Sequence, residues 1–447
     1  MKSHFTLSLI LLLFYAAPAA PAPLGTRTVL DNGATLLVAE RPGIPMVVMN
    51  IVLKSGAAVD PDGKTGLANL TASLLTRGTK KHSAQALAQE LDFLGASLNV
   101  DADYETTTIS LTTLTKNLEP ALELVAEVLL SPTFPPAELE RTRKEIEGGL
   151  QSHEEDPGWV AQKFFLQKLY PHRPYGRLVE GQATTLAKLT QADVKKFHQT
   201  YYRPNNAIIA LAGEISPEQA MNLLHNHFAD WQQTDIPSVI WQPDARPLSA
   251  ERVTLDKQVS QANVVLGSFG IARSNPDYYA VQLMNYVLGG GGFGSRLMDK
   301  IREELALVYN VNSSFTVRKH AGPFTVALQT KNATAIQAVD ESLRVIHRFI
   351  EQGPTATELA AAKAYFINSF PLRLVSNRDV AALLPMLEFY DLGLDYPDRY
   401  ADLIGQVTLE QAHNAAKTYL HPDQLLQVVV ADLKQAGLDH TQPQSKN

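Results

Sequence analysis

The chain has 447 residues, of which 45% are hydrophobic and 19% are charged, and it contains no cysteine. This apolar fraction is enough for packed cores, so the composition excludes a disordered or fibrous protein. The formal net charge of −7, with no long run of either sign, argues against nucleic-acid binding, which needs a basic face. Without cysteine, disulfides, iron–sulfur clusters, cysteine-based zinc sites and thiol catalysis are excluded.

The first twenty residues have the pattern of a secretory signal peptide. Lys2 precedes an apolar run over 5–15, and a stretch rich in Ala and Pro follows over 16–23. An apolar run of about eleven residues is too short to span a bilayer. The sequence therefore predicts export to the periplasm as a chain that has no membrane contact after cleavage.

The next segments alternate between strand and helix patterns. Strands are predicted over 28–30 and 34–39, around an Asp31-Asn32-Gly33 hairpin turn, and over 46–53, with two more strands between 98 and 114. Helices are predicted over 84–94 and 136–151. Because strands and helices do not follow a regular βαβ order, the fold class is predicted as α+β, with each sheet covered by helices.

The chain repeats itself. Thr190 and Pro204 recur as Thr408 and Pro422, in both cases 218 residues later. Each threonine is a helix N-cap, and each proline precedes an apolar strand. Two matches at one offset indicate two homologous domains. The predicted organisation is a signal peptide over 1–20, an N-terminal domain over 25–233, a linker over 234–250, a C-terminal domain over 251–435 and a polar tail over 436–447.

Three short motifs stand in the first half: Ser55-Gly56-Ala57 followed by Gly66-Leu67-Ala68, and Arg77-Gly78-Thr79. Together they resemble the M16 (pitrilysin-like, mitochondrial-processing-peptidase-like) metallopeptidases. The resemblance runs from about Thr28 to Asp432. It implies two αββαββ-type domains of the LuxS/MPP-like kind, each a mixed, mainly antiparallel sheet covered by helices, with a peptide held in the chamber between them.

The inverted zinc motif of that family is missing. Active members carry His-x-x-Glu-His after the Gly-Leu-Ala, because residues i, i+3 and i+4 share one helix face. The matching positions here are Asn69, Ala72 and Ser73, and the third ligand, a glutamate in the family, falls near Gly149. None of the twelve histidines is three, four or five residues from another. The sequence therefore predicts no metal on this chain and zinc only in a partner subunit.

The second half retains what resembles the opposite side of such an active site. Gly289, Gly290, Gly291 and Gly292 precede Arg302 and Tyr309, which are seven residues apart. The resemblance implies a Gly-rich substrate-binding loop and an Arg/Tyr pair that holds the substrate carbonyl. A guanidinium and a phenol can both donate hydrogen bonds to an oxyanion.

Other interpretations of these residues stay open. A phosphate loop would need Gly-Lys-[Ser/Thr], which is absent. Arg302 could be a solvated helix charge, and Tyr309 a core aromatic. Val308 stands where the family usually has glycine.

The segment 94–99, which ends at Asn99, resembles the family strand along which a peptide lies as an added strand. Backbone pairing of this kind gives affinity without strict sequence preference. The alternative is an ordinary hairpin strand.

These features predict a non-catalytic subunit that binds peptide and supplies Arg302 and Tyr309 to a zinc-bearing M16-like partner in periplasmic peptide degradation. Two alternatives remain open at this point. One is a peptide-binding scaffold without a catalytic role, and the other is an active zinc peptidase with unrecognised ligands.

Overall fold

The computed structural model describes residues 23–171, 173–237 and 250–438. The predicted signal peptide over 1–20 and most of the predicted linker and polar tail lie outside these residues. None of the helices in the described part of the chain is long and apolar enough to cross a membrane.

The described strands form two sheets, each mainly antiparallel with one parallel pair. The first sheet has the order β1-β2-β6-β3-β5-β4 and the second the order β7-β11-β8-β10-β9, with β2–β6 and β7–β11 parallel. The α+β fold class with mixed, mainly antiparallel sheets is confirmed. The strands are β1 Thr26–Val29, β2 Thr35–Glu40, β3 Met46–Leu53, β4 Ser97–Ala102, β5 Thr107–Leu114, β6 Ala207–Gly213, β7 Glu251–Asp256, β8 Gln261–Phe269, β9 Val308–Phe315, β10 Pro323–Lys331 and β11 Leu426–Ala431.

Helices cover both sheets. Two further segments of the second half, Tyr286–Gly290 and Met298–Glu304, are π-helical. The α-helices are α1 Leu67–Leu74, α2 Ala84–Leu94, α3 Leu118–Leu130, α4 Pro136–Glu155, α5 Pro157–Leu169, α6 Ala183–Leu186, α7 Gln191–Tyr201, α8 Pro217–Phe228, α9 Tyr278–Asn285, α10 Ala335–Gln352, α11 Ala356–Ser369, α12 Asn377–Phe389, α13 Tyr396–Gly405 and α14 Leu409–Tyr419.

The internal repeat is visible in the helix caps. The Thr190 hydroxyl accepts a hydrogen bond from the Asp193 amide at the start of α7, and the Thr408 hydroxyl accepts one from the Gln411 amide at the start of α14. In both boxes the N3 side chain bonds back to the N-cap amide, which satisfies two helix N–H groups. Equivalent caps therefore begin equivalent helices in the two halves.

One helix from each half packs on the sheet of the other half. α12, from the second half, packs on β2, β3 and β6 of the first sheet, and α5, from the first half, packs on β8 and β11 of the second sheet. Both helices are thirteen residues long. The apolar contacts join Val380, Ala381 and Leu384 to the first sheet. They join Val160 and Phe165 to the second. The other face of each sheet is covered by helices of its own half.

A proline makes the first of these contacts specific. Pro385 lies inside α12 and has no N–H, so the carbonyl of Ala381 lacks its usual i+4 donor. The buried Asn50 side chain on β3 donates a hydrogen bond to that carbonyl at 2.9 Å. The sheet of one half thus satisfies a backbone group of the other half's helix.

We expect Asn50→Leu to lower the free energy of unfolding by about 1–3 kcal/mol, because it leaves a buried carbonyl without a donor. In a Pro385→Ala background residue 385 regains its N–H, so the same substitution should cost less than half as much. Urea unfolding of the two single variants and the double variant measures the difference. An equal cost in both backgrounds would contradict the assignment of this hydrogen bond.

Candidate functional site

Helix α1, which carries the zinc motif in the resembling family, is held firmly at its start. Gly66 caps it with φ +96°, and a Cβ there would lie 2.7 Å from the Glu180 carbonyl oxygen. The buried Asp60 carboxylate accepts hydrogen bonds from the amides of Gly66 and Ala68, each at 2.8 Å. Burial outweighs these bonds and raises the pKa of Asp60 to about 7. The scaffold of the motif is therefore present.

The residues on that scaffold do not fit zinc. Asn69 and Ser73 are half-buried on α1 and Ala72 is buried, while Gly149 lies on an exposed part of α4, against which α1 packs. An amide, a hydroxyl, a methyl and a glycine replace three ligands and a general base, whereas catalytic zinc needs three protein ligands.

Neither nearby glutamate replaces the missing set. The carboxylate of Glu154 is ion-paired with Lys163, and Glu147 lies half-buried on α4. Within the described ranges, no group of three or more His, Asp or Glu side chains is placed to hold a metal ion.

The Gly-rich loop packs tightly on β9. A Cβ at Gly289 would lie 2.5 Å from the Ser313 hydroxyl oxygen and 2.7 Å from Leu297 Cδ1. The Ser313 hydroxyl in turn donates to Asn285 Oδ1 at 2.7 Å. Gly292 has φ +64°, a conformation that glycine adopts without strain.

The middle of the loop is equally crowded. A Cβ at Gly290 would lie 2.8 Å from Asn285 Nδ2, and one at Gly291 would lie 2.7 Å from the Tyr286 carbonyl oxygen. Packing or backbone conformation thus explains why each of these four positions is a glycine. Their predicted role in substrate binding stays a prediction.

The structure brings Arg302 and Tyr309 together and adds an aromatic residue that the sequence analysis missed. Arg302 Cζ lies 5.5 Å from the Tyr309 ring centroid and 4.6 Å from that of Phe293. Its Nη1 lies 3.3 Å from the Glu303 carboxylate. Tyr309 is 76% exposed and Phe293 is 70% exposed, so Tyr309 is not a core aromatic. Phe293 could have been found in the sequence as a large aromatic within a run of glycines.

A β-bulge sets the position of Tyr309. The pairing of β9 with β10 shifts by one residue between Gln329 and Thr330, which leaves Tyr309 without an opposite partner. Ala306, three residues earlier, has φ +50°. Bulges bend the strand and redirect a side chain, and they are enriched beside active sites.

The two strands that carry the candidate residues Asn99 and Tyr309 lie at sheet edges. β4, with Asn99, is the last strand of the first sheet, and β9, with Tyr309, is the last strand of the second. Asn99 is exposed, and its amide donates to the Ser97 hydroxyl at 3.2 Å. Helix α1 packs beside β4. Among the described residues, no hydrogen bond or ion pair links the α1 positions to Arg302 or Tyr309.

An ion pair fastens the end of the Gly-rich loop to α11. Arg296 Nη2 donates to Glu358 Oε2 at 2.8 Å, and its Nε donates to Oε1. Burial alone would raise the pKa of Glu358, but the hydrogen bonds from Arg296 and Thr355 outweigh it and lower the pKa to about 2. Arg296 therefore positions the loop that precedes Arg302.

The loop glycines offer a matched pair of substitutions. Gly289→Ala should lower the free energy of unfolding by about 1–3 kcal/mol, because its Cβ meets neighbouring atoms at 2.5–2.8 Å. Gly294→Ala meets nothing within 4 Å and should stay within about 0.5 kcal/mol of wild type. Thermal denaturation of both variants tests this. Equal stability of the two would show that the loop does not pack on β9.

The Glu358 carboxylate should make a pH-dependent contribution to stability. Its folded pKa lies below the ordinary value of 4.5, so the contribution is complete above about pH 5 and disappears as the pH falls towards 2. At pH 7, Glu358→Gln should cost about 1–2 kcal/mol once solvent screening of this quarter-exposed pair is included. The cost should fall to near zero at pH 2.

Urea unfolding at pH 7, 5, 3 and 2 measures this. Glu410→Gln is the control, because Glu410 is exposed in the first turn of α14 and no ion pair is recorded for it among the described residues. A cost for Glu358→Gln that is the same at all four pH values would rule out the proposed ion pair.

Comparisons with known proteins identify the family of the chain. The family model "Insulinase (Peptidase family M16)" matches residues 36–182, and "Peptidase M16 inactive domain" matches residues 188–366. A protein named non-peptidase homolog YmxG, from Helicobacter pylori, is 28% identical over 397 residues, which cover 88% of this chain and 90% of that protein.

Solved structures agree. The crystal structure of an M16 inactive domain from Pseudomonas fluorescens has a TM-score of 0.85 and 31% identity, over 91% of this chain and 97% of that one. The periplasmic protease PqqL from Escherichia coli has a TM-score of 0.79 at 18% identity, and the match covers 96% of this chain and 49% of PqqL. The family models match both halves, and the Pseudomonas fluorescens domain is 31% identical over 91% of this chain. The chain therefore belongs to the M16 peptidase family, as a homologue of its inactive type.

Proposed function

We propose that this chain is a non-catalytic M16 subunit that binds peptide and completes the active site of a zinc-bearing M16 partner. The observation that carries the proposal is the asymmetry of the two half-sites. The metal half-site has a well-held helix without ligands, whereas the opposite half-site keeps Arg302 and Tyr309 together on a packed base.

The chemistry of the retained half-site supports this role. The Arg302 guanidinium rests against two aromatic rings, and Glu303 is its one recorded ion-pair partner in the described chain. Its remaining N–H groups and the Tyr309 hydroxyl can donate to a peptide carbonyl on which negative charge develops during hydrolysis. The partner would hold the zinc and its water, and this chain would hold the carbonyl oxygen.

The exposed edge of β4 supports peptide binding. A strand with one free edge can pair with an extended peptide, and the exposed Asn99 lies along that edge beside α1. Nothing in such backbone pairing requires a metal on this chain.

The periplasm is the proposed location. The apolar run over 5–15 followed by an Ala- and Pro-rich stretch supports export. The fold is shared with PqqL, which is described as a periplasmic protease.

The purified chain should bind no stoichiometric zinc, since none of the four motif positions supplies an imidazole or a carboxylate. Dialysis against zinc followed by atomic absorption measures the metal content, and incubation with casein measures peptidase activity. One tightly bound zinc per chain with chelator-sensitive hydrolysis would instead support an active peptidase with other ligands.

Arg302→Ala and Tyr309→Phe should reduce the turnover of the complex while leaving its assembly intact. Loss of one oxyanion donor costs about 10²–10³ in kcat. Arg302→Ala should be the more damaging, because it removes a charged donor with several N–H groups. Each variant is co-expressed with an M16 protein of the same genome that has an intact His-x-x-Glu-His motif.

The complex is verified by size-exclusion chromatography before peptide cleavage is measured. Arg373→Gln, an exposed arginine stacked 5.9 Å from Phe370, is the charge-matched control. Full activity of an intact Arg302→Ala complex would favour a peptide-binding scaffold without a catalytic role.

A further inference from the structure

A cavity of about 330 Å³ lies where the two halves meet, away from the Gly-rich loop. The turn that connects β4 to β5 and the turn that connects β9 to β10 both line it. These turns follow the two edge strands, so they occupy equivalent places in the repeat. Helix α12 forms the remaining wall.

Arg318, in the second turn, lies in this cavity wall with unused hydrogen-bonding capacity. Its side chain is only 17% exposed, and its Cζ lies 4.2 Å from the ring centroid of Tyr104 and 5.1 Å from that of Tyr175. Its recorded ion pair, with Asp103 Oδ2, is 3.6 Å long. No hydrogen bond of 3.5 Å or less is recorded from this guanidinium to any described residue. A guanidinium has five N–H groups, so several lack a protein acceptor.

The two acidic residues of the cavity play different parts. Glu105 is occupied: it accepts hydrogen bonds from the Tyr175 hydroxyl and from the Lys319 amide, the latter at 3.0 Å, and so ties the two turns together. Asp103 is 66% exposed. Among the described residues, the one ion-pair partner of its side chain is Arg318, at 3.6 Å. Asp103 is therefore the carboxylate that a ligand can reach.

Part of the cavity lining is apolar. This part is formed by Pro385, Met386 and Phe389 of α12 and by Val52 of β3. The cavity thus has a cation, a reachable carboxylate and an apolar surface within one small volume. That volume is at the lower end of the range for small-molecule sites, which is about 300–1,000 Å³.

We propose that this cavity binds a small amino-acid zwitterion, either a free α-amino acid or a dipeptide. The ligand carboxylate would accept hydrogen bonds from Arg318, its ammonium group would pair with Asp103, and its side chain would pack on the α12 wall. Planar, two-pronged pairing of a guanidinium with a carboxylate is the strongest contact available to such a ligand. The site is separate from the Arg302–Tyr309 pair and does not depend on the proposed partner.

Isothermal titration calorimetry of the full chain tests the site with four probes. Leucine and the dipeptide Leu-Leu represent the two sources of the zwitterion. Leu-Leu amide lacks the carboxylate, and N-acetyl-Leu-Leu lacks the ammonium group. We expect saturable binding of leucine or Leu-Leu, and binding at least about tenfold weaker for the amide and the acetyl derivative.

Three variants locate the binding. Arg318→Gln should weaken binding about tenfold or more, Arg318→Lys should weaken it less, and Asp103→Asn should abolish the preference for Leu-Leu over its acetyl derivative. Arg373→Gln, outside the cavity lining, should bind as wild type. Thermal denaturation of each variant shows that the junction of the halves is intact.

Two results would overturn the proposal. The first is no saturable binding of either zwitterion. The second is equal affinity of Arg318→Gln and wild type at unchanged thermal stability, which would leave Arg318 as a tie between the two turns. Binding of leucine without Leu-Leu would assign the site to free amino acids, and the reverse would assign it to dipeptides.

Discussion

A sheet that is apolar on both faces needs helices packed on both of them. In this chain, neither half covers both faces of its own sheet with its own helices. The helices of each half cover one face, and the second face of each sheet is covered by α12 or α5 from the other half. Burial of these two faces stabilises the arrangement of the halves as well as the halves themselves. The Asn50–Ala381 hydrogen bond then selects α12 among helices of similar apolar surface.

The exchange of α5 and α12 determines which strands and turns of the two halves are available to a ligand. Because the halves are held in one arrangement, equivalent strands β4 and β9 end up at the two free sheet edges, and equivalent turns meet at the junction. The two halves differ, however, in the side chains that these equivalent elements carry. In the first half the helix beside the edge strand carries no metal ligand. In the second half the half-buried Arg302 guanidinium lies against the rings of Phe293 and Tyr309, next to the bulge at Tyr309 and behind the loop that the Arg296 ion pair fastens.

Local patterns in the sequence predicted local structure well. The strand over 46–53 and the helix over 84–94 have the predicted bounds, because their ends are marked by turn and cap residues. The exchange of α5 and α12 could not be predicted, since the apolar face of a helix does not say which sheet it covers. The bulge at Tyr309 and the π-helical form of Met298–Glu304 depend on tertiary packing and have no local sequence pattern. The Arg296–Glu358 ion pair joins residues 62 positions apart, so no local sequence pattern could predict it.

The two exchanged helices give the chain the topology of a domain-swapped pair. Two copies of one unit that trade an identical helix form a domain-swapped dimer, and joining the copies end to end turns that dimer into a single polypeptide with internal pseudosymmetry. In this chain the traded helices are the same length and begin 220 residues apart. Once the copies are joined, each is free to lose what the other retains, provided that it keeps the helix its neighbour needs. A half cut away from its neighbour would expose the apolar sheet face that the exchanged helix now covers.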